Sequence, residues 1–253
     1  MQWIDAHCHM GDEVARWPDA EETVAAAALV GVTRMVTVGC DLATSQTAIA
    51  VAQNFAGVWA TAGVHPHDAK NTIAGIEALL GEEKVVAVGE CGLDYFYDNS
   101  PRQEQKEVFA QQIQLAHAHD LALVVHTRDA WEDTLDILRA EKMPERTVIH
   151  CFSGGVDEAR ALLDLGAYLS FSGIVTFPKA PEVRQAMIFC PLERLLIETD
   201  APFLAPVPHR GKPNSPALLP VIGQSVADGK GLVVDAVAEV TWKNAETVYA
   251  LTH

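Results

Sequence analysis

The stretch WIDAHCH at residues 3–9 is a short apolar run that leads directly into two histidines. Similar apolar, β-branched runs recur along the 253-residue chain. Their starts lie about 20–36 residues apart, which leaves room for one crossover helix after each run. Nearly continuous apolar runs of this length are typical of parallel strands buried on both faces. We therefore predict eight strands, at residues 3–6, 34–38, 58–62, 85–89, 121–125, 147–149, 167–171 and 195–199.

The order of the predicted elements indicates one architecture. Eight strand–helix units in succession predict an α/β protein that folds as a single (β/α)8 TIM barrel, closed by two further helices near residues 217–227 and 233–251. No internal repeat, low-complexity tract or linker interrupts the sequence, so residues 1–253 are expected to form one domain. An open, doubly wound sheet is the alternative that the same pattern allows.

The composition is that of an ordinary globular protein, with 49% apolar and 21% charged residues. No apolar run approaches the length of a membrane span, and the N-terminus lacks the basic and apolar regions of a signal peptide. The five cysteines are odd in number and fit neither a disulfide framework nor a zinc-finger spacing. Together these features predict a cytoplasmic protein, in a compartment where thiols stay reduced.

The formal net charge of −16 restricts how the protein could bind a nucleic acid. Proteins that hold nucleic acids by general electrostatics are usually basic, whereas this chain should repel DNA at long range. An anionic substrate would therefore have to be captured locally, by bound metal ions or by a small basic cluster. An acidic charge is also common among cytosolic proteins and does not by itself indicate a function.

Residue types that bind metals stand at the ends of six of the eight predicted strands. The C-terminal ends of barrel strands meet on one face, where active sites lie, so these side chains are expected to converge. Side chains alternate across a strand, which turns His7 and His9 to the same side. Any one of these residues alone would be an ordinary polar strand end or helix cap, but together they predict a metal site. The predicted ligands are His7, His9, Glu90, His126, His150 and Asp200.

The predicted ligand set provides for two divalent cations. The imidazoles of His7 and His9 could chelate one ion, and two further histidines could bind a second. The carboxylate of Glu90 could bridge the two, because each of its oxygens can bind one metal. Zn, Mn, Fe, Co and Ni suit this mixed nitrogen and oxygen ligation better than Mg, which prefers a site made of oxygens alone.

The segments around these residues resemble those of the TatD family of metal-dependent hydrolases, from the first predicted strand to the loop after the last. The resemblance implies a (β/α)8 barrel with deoxyribonuclease activity. It also implies that one metal is held by His7, His9, Glu90 and Asp200, and the other by Glu90, His126 and His150. After His9 the family often has Leu-Asp, whereas this chain has Met10-Gly11-Asp12. The matching segments are DAHCH (5–9), GVHPH (63–67), GECGLDY (89–95), HTRDA (126–130), HCFSG (150–154), ETDAPFL (198–204) and RGKPN (210–214).

The predicted reaction is hydrolysis by metal-activated water, with Asp200 as a metal ligand and as the general base that accepts the proton of this water. His65, after strand three, is predicted to contact substrate or to donate to a leaving group; the alternative is an ordinary capped strand end. Arg128, after strand five, is a candidate phosphate clamp, or else forms a salt bridge at a helix end. Arg210 belongs to a basic cluster at residues 209–212, which could bind substrate or be solvated loop charge.

Several residues next to the predicted ligands are expected to have supporting roles. We expect Asp5, Asp94 and Glu198 to orient the histidine ligands by hydrogen bonds. Strand alternation should turn three neighbouring cysteines away from the metals, so these are predicted to be small buried apolar side chains. They are Cys8, Cys91 and Cys151.

The leading functional hypothesis is a deoxyribonuclease that cleaves phosphodiester bonds at strand ends, because a pocket in a barrel mouth admits an end more easily than a duplex. The first alternative is a hydrolase of a small amide, ester or phosphoester, which the negative charge favours. The second is a metal-stabilised binding scaffold without turnover, which the full ligand set disfavours. The expected substrate is thus DNA or a small phosphoester. Nothing in the sequence requires a membrane or a protein partner, and a monomer is expected.

Overall fold

The computed structural model describes residues 1–11 and 18–251 and contains a sheet of eight parallel strands. Each strand pairs with the next in chain order. Past the last strand, the Asp200 N–H donates to the His7 carbonyl at 2.9 Å and the His9 N–H donates to the Ala201 carbonyl at 2.8 Å, which joins the two edges of the sheet. The predicted (β/α)8 barrel is therefore confirmed, and the open sheet is excluded. The strands are β1 (Trp3–Cys8), β2 (Val32–Val38), β3 (Val58–Ala62), β4 (Val85–Asp94), β5 (Ala122–Arg128), β6 (Thr147–Ile149), β7 (Tyr168–Phe171) and β8 (Leu195–Ile197).

Helices follow the strands and cover the outside of the barrel. The N-terminus of the second helix shows the local chemistry, since the Asp41 carboxylate accepts a hydrogen bond from the Thr44 N–H at 2.7 Å. In the described part of the chain no single helix is long and apolar enough to cross a membrane; helices 216–230 and 234–248 pass that test only as a pair, across a 110° bend. Asp12, the carboxylate that follows His9 one residue later than in the family pattern, lies outside the described residues. The helices are α1 (Ala20–Ala28), α2 (Leu42–Asn54), α3 (Ile76–Leu79), α4 (Arg102–His119), α5 (Trp131–Ala140), α6 (Val156–Asp164), α7 (Pro181–Phe189), α8 (Leu219–Lys230) and α9 (Val234–Val248).

Two apolar layers hold the barrel together. Alternate strand residues such as Val36 and Leu196 fill the interior, and the opposite faces pack outward against the helices. The interior cluster also contains Val248 and Tyr249, from the end of α9. The Tyr249 hydroxyl donates to the Ala6 carbonyl at 3.0 Å, which ties the last helix to β1. The opposite end of the barrel, where the strands finish, is left for polar side chains.

The strands do not all end where the sequence predicted. β4 continues to Asp94 and β5 to Arg128, because their backbones stay paired beyond the predicted ends at residues 89 and 125. β1 extends to Cys8, whereas β8 ends at Ile197, two residues earlier than predicted. Three predicted ligands therefore lie within their strands rather than after them. They are His7 in β1, Glu90 in β4 and His126 in β5.

A β-bulge in β1 decides which way its histidines point. Ala6 faces the barrel interior, so strict alternation would turn His7 outward. Between Asp5 and Cys8, however, β1 advances three residues while its partner β2 advances two. The extra residue resets the alternation, and His7 faces inward while Cys8 packs in the outer layer.

A second bulge has the same effect in β4. Ala87 faces the interior, and strict alternation from it would turn Glu90 toward the helices. Between Val88 and Cys91, β4 advances three residues against two in β5. Cys91 consequently packs in the outer layer, and the Glu90 carboxylate enters the barrel mouth.

Candidate metal centre

The carboxylate of Glu90 lies at the centre of the barrel mouth and is almost fully buried. Its Oε2 faces two rings at the end of β1 and just after it, with His7 Nε2 at 3.4 Å and His9 Nε2 at 3.9 Å. Its Oε1 faces three other rings, and so the carboxylate separates the histidines into two groups. Those three are His150 Nε2 at 2.8 Å, His126 Nδ1 at 3.0 Å and His65 Nε2 at 3.4 Å.

A second carboxylate, Asp200, completes the group around His7 and His9. Its Oδ1 lies 3.7 Å from His7 Nε2 and 3.5 Å from His9 Nε2. Asp200 adopts a left-handed backbone conformation, with φ of +54°, in the turn after β8. We call His7, His9, Asp200 and Glu90 Oε2 the first donor set. The second donor set consists of His126, His150 and Glu90 Oε1.

Carboxylates outside the second donor set determine which nitrogen of each ring points inward. Asp94 Oδ2 lies 3.2 Å from His126 Nε2, and Glu198 Oε1 lies 3.2 Å from His150 Nδ1. When the ring is neutral, each carboxylate accepts the proton of the outer nitrogen, and the inner nitrogen keeps a lone pair. The expected orienting roles of Asp94 and Glu198 therefore agree with the geometry.

The third expected orienting residue, Asp5, does not contact a histidine ring. Its carboxylate accepts from the Thr199 N–H at 2.9 Å and the Thr199 hydroxyl at 2.5 Å, and from the backbone N–H of His7 at 3.3 Å. Burial raises its pKa to about 7, although these hydrogen bonds oppose the change. Asp5 therefore contacts a histidine ligand through the His7 backbone, and its carboxylate also binds backbone and hydroxyl groups where β1 meets the segment after β8.

The buried ring of His7 offers the clearest test of whether the site suits a cation. Both of its ring nitrogens lack a hydrogen-bond partner in the described structure, although the ring is fully buried. Buried polar atoms are nearly always satisfied, so an orphaned imidazole nitrogen facing two carboxylates fits metal ligation. His9 also turns its Nε2 toward the centre of the site. Its Nδ1, in contrast, lies 3.1 Å from the Val38 carbonyl.

Ligand atoms approach one another closely enough for chelation in three overlapping groups. Within each group the candidate atoms lie within 4.8 Å of one another. Imidazole nitrogens combined with carboxylate oxygens suit divalent transition metals. The groups are His7 with His9 and Glu90, His7 with His150 and Asp200, and His65 with Glu90 and His126.

A backbone contact determines which nitrogen of the His65 ring carries the proton. The His67 N–H donates to His65 Nδ1 at 3.1 Å, which assigns the ring proton to Nε2. Burial lowers the pKa of His65 to about 4, so the ring is neutral near pH 7. Its inward-facing atom is therefore an N–H donor rather than a lone pair, which suits contact with an oxygen better than ligation of a metal.

The charges at the site favour a positive species between the carboxylates. Burial alone would raise the pKa of Glu90, but the surrounding imidazoles outweigh it and hold this pKa well below its usual range. The pKa of Asp200 is lowered against burial in the same way. Burial lowers the pKa of His126 and of His150, yet the neighbouring carboxylates raise both overall. Because ligation requires neutral imidazole, cation binding here would release protons.

The predicted substrate-binding arginines lie outside this cluster. Arg128, in β5, places its guanidinium over the rings of Phe96 and Tyr97. Arg210 is exposed; its guanidinium lies over the ring of Phe177 and donates to a carbonyl of its own loop. No contact among the described residues joins either arginine to the two donor sets.

Sequence reasoning assigned no role to His67, although its spacing from His65 repeats that of His7 and His9. His67 Nε2 lies 3.0 Å from Asp94 Oδ2, so it shares this carboxylate with His126. The His-x-His spacing was the signal that could have identified it. Of the three cysteines expected to be buried, Cys8 and Cys91 are, whereas Cys151 is half-buried with its thiol 3.2 Å from the Ser172 hydroxyl.

The barrel and the His/carboxylate cluster at its mouth together define the class of metal-dependent barrel hydrolases. The model of the TatD related DNase family matches residues 4–250, and the chain belongs to that family. The resemblance seen in the sequence is thereby confirmed. The protein is an enzyme, a metal-dependent hydrolase that acts on ester bonds.

Individual relatives match over nearly their whole lengths. The chain is 38% identical to the metal-dependent hydrolase YabD of Bacillus subtilis, over 98% of this chain and 99% of that protein. It is 39% identical to the 3'-5' ssDNA/RNA exonuclease TatD of Klebsiella pneumoniae, over 90% and 89% of the two chains. The solved structure of YjjV, a TatD homologue of Escherichia coli, superposes with a TM-score of 0.91 at 28% identity, over 99% of this chain and 98% of that one.

Proposed function

We propose that the protein is a deoxyribonuclease that cleaves phosphodiester bonds with two divalent cations, one in each donor set. The observation that carries the proposal is the division of the Glu90 carboxylate, with one oxygen facing His7 and His9 and the other facing His126 and His150. A carboxylate placed in this way could bridge two ions. When bound, such ions would act as Lewis acids on the phosphoryl oxygens and lower the pKa of a water molecule.

Asp200 is proposed as the general base. Its lowered pKa keeps the carboxylate ionised at neutral pH, so it can accept the proton of the attacking water. Only one of its oxygens, Oδ1, lies against His7 and His9, which leaves Oδ2 for this role. The Asp200 side chain is 13% exposed, whereas that of Glu198 is fully buried, so that a water molecule can approach Asp200.

His65 is proposed to contact the substrate. Its Nε2–H points toward the centre of the mouth, 3.4 Å from Glu90 Oε1, and could donate to a phosphoryl or leaving-group oxygen. Because its pKa is near 4, the ring would act as a neutral hydrogen-bond donor above that pH rather than as a cation. Glu90 is the third residue proposed to be catalytic, through the two ions that it would hold in position.

The test uses end-labelled single-stranded and duplex DNA with metal-reconstituted protein, with and without chelator. Asp200→Asn is expected to lower the cleavage rate by about 10²–10⁴-fold, the usual contribution of a general base. Asp136→Asn, at an exposed position of α5, is the matched control and should cleave like the wild-type protein. Cleavage that survives the chelator, or that is equal in the two variants, would overturn the proposal.

A small-molecule hydrolase is the second candidate, favoured by the net charge of −16. It predicts no cleavage of DNA with any of Zn, Mn, Fe, Co, Ni or Mg. It predicts instead metal-dependent turnover of small phosphoesters, esters or amides that is lost in Asp200→Asn. The same preparations therefore separate the two candidates.

A further inference from the structure

Exposed aromatic rings are concentrated around the candidate metal centre. Phe96 and Tyr97 lie in the loop just after β4, and the Phe203 ring lies 6.0 Å from the ring of His9. The only other exposed aromatic side chain in the described part of the chain, Phe189, ends α7, and the barrel helices end at the opposite face from the strands. Clustered exposed rings are unusual on a protein surface and mark a contact surface. The exposed fractions are 55% for Phe96, 54% for Tyr97, 45% for Phe203 and 37% for Phe189.

The guanidinium of Arg128 lies against two of these rings. The Cζ atom of Arg128 is 3.9 Å from the centre of the Phe96 ring and 4.9 Å from that of Tyr97. Four other arginines pair with carboxylates, but Arg128 forms no ion pair with any carboxylate of the described residues. A guanidinium stacked on an aromatic face keeps the N–H groups at its edge available for a phosphate.

One carboxylate connects these rings to the metal centre. Asp94 Oδ1 accepts hydrogen bonds from the backbone N–H groups of Phe96, at 3.0 Å, and Tyr97, at 2.9 Å. The other oxygen, Oδ2, faces His126 Nε2 at 3.2 Å. Asp94 is also paired in register with Arg128, its neighbour across the β4–β5 ladder. The backbone that carries the two rings and the guanidinium is therefore tied to the second donor set through Asp94.

We propose that Phe96, Tyr97 and Arg128 form a platform that binds unpaired nucleotides of the substrate next to the cleaved bond. The bases stack on the rings of the platform, and the Arg128 guanidinium binds a phosphate of the same strand. The proposal rests on the proposed nuclease function and specifies how that site would recognise its substrate. It also gives the predicted phosphate contact of Arg128 a structural setting.

The net charge explains why such a platform would be needed. A protein of charge −16 gains no affinity for a polyanion from its overall field, so binding must come from short-range contacts. Stacking on aromatic side chains is a contact of this kind, and it tolerates any sequence because every base has an aromatic face. In a duplex the base faces are covered by their neighbours. The platform therefore selects single strands over paired ones.

The test compares two single-stranded oligonucleotides in the metal-reconstituted enzyme, one complete and one with abasic residues on both sides of the cleaved bond. For the wild-type protein we expect loss of the bases to raise KM by about 5- to 150-fold, the range of stacking on one aromatic side chain. In the double variant Phe96→Leu/Tyr97→Leu the two oligonucleotides should have similar KM values. Phe189→Leu is the matched control and should keep the wild-type difference, since this exposed ring also carries an arginine, Arg160, at 4.6 Å.

The outcomes separate this inference from the proposed function. A wild-type protein that cleaves neither oligonucleotide contradicts the nuclease function itself. A wild-type protein that cleaves both with equal KM overturns the platform alone, and this comparison needs no variant. If the double variant raises both KM values by the same factor, the rings have only a structural role and the platform is again overturned. Phe96→Trp, which keeps a ring, should retain the dependence on the bases.

Discussion

Replacing Glu198 by glutamine should lower the affinity of the second donor set for its cation while leaving the affinity of the first donor set nearly unchanged. The Glu198 carboxylate is fully buried, and its Oε1 accepts from His150 Nδ1 at 3.2 Å and from the Cys151 N–H at 2.7 Å. Glutamine has the same shape and keeps an acceptor oxygen. It removes the negative charge that strengthens the bond to the imidazole and makes the inner nitrogen of His150 a better ligand.

The size of the effect follows from these contacts. A hydrogen bond to a charged group contributes about 1.5–3 kcal/mol, and a neutral one about half of that. The bond to His150 should therefore lose about 0.8–1.5 kcal/mol, which corresponds to a cation affinity lower by roughly 4- to 12-fold. This agrees with the lower end of the roughly 10- to 100-fold losses seen when an outer hydrogen-bond partner of a ligand is removed. The bond to Cys151 should lose a similar amount, which would lower Tm by about 2–6 °C.

The assay is a titration of metal-free protein with Zn²⁺ or Mn²⁺ in competition with a chromophoric chelator, analysed for two sites. Glu193→Gln is the matched control, because Glu193 is exposed just before β8. We expect one of the two affinities to fall about tenfold in Glu198→Gln and neither to change in the control. If both affinities stay within twofold of wild type while Tm falls, His150 is not a ligand, and the assignment of the second donor set is refuted.

Three further predictions concern stability and reactivity. Gly92→Ala should cost at least about 1–3 kcal/mol in urea unfolding, because φ there is +125° and an added Cβ would lie 2.0 Å from a carbonyl of β5; Gly81→Ala, in open space, should change stability by less than about 0.5 kcal/mol. Tyr249→Phe should lower the free energy of unfolding by about 1–3 kcal/mol, because the buried Ala6 carbonyl loses its donor; a normal unfolding midpoint would show that this bond contributes nothing. Burial raises the pKa of Cys190 to about 12, so at pH 8 only about one molecule in 10,000 carries the thiolate. Alkylation of Cys190 in the folded protein, followed by mass spectrometry, should accordingly be very slow at pH 8, and its rate should rise about tenfold per pH unit up to pH 12. Rapid labelling at pH 8 would contradict the burial of this thiol.

The recurrence of apolar runs was enough to predict eight strands and their order around the barrel. Runs such as Val58–Ala62 and Thr147–Ile149 were placed with their observed bounds, because a strand buried on both faces must be apolar throughout. The ends of β4 and β5 were placed too early. There the pairing continues through polar residues that face the barrel mouth, and hydrophobicity no longer marks the strand.

The candidate ligands were also evident in the sequence as residue types at strand ends, but their chemical roles were not. Nothing in the sequence shows that the neutral ring of His65 presents an N–H to the site and the neutral ring of His150 a lone pair. That difference depends on the partner of the second ring nitrogen, which is a backbone N–H for one and the Glu198 carboxylate for the other. The same holds for Asp5, which accepts two of its hydrogen bonds from Thr199, 194 residues away in the chain.

The sequence by itself determined the class of fold, the face on which the site lies and the residues that can bind metals. Each of these follows from local composition, from the length of the strand–helix unit and from the rule that parallel strands end together. Only the tertiary structure decided which side chains enter the barrel. Strict alternation would have turned His7 and Glu90 outward, and the bulges that reverse them exist because the pairing of each strand with its neighbour shifts by one residue. Such a register is fixed by contacts between strands distant in sequence, and no local pattern records it.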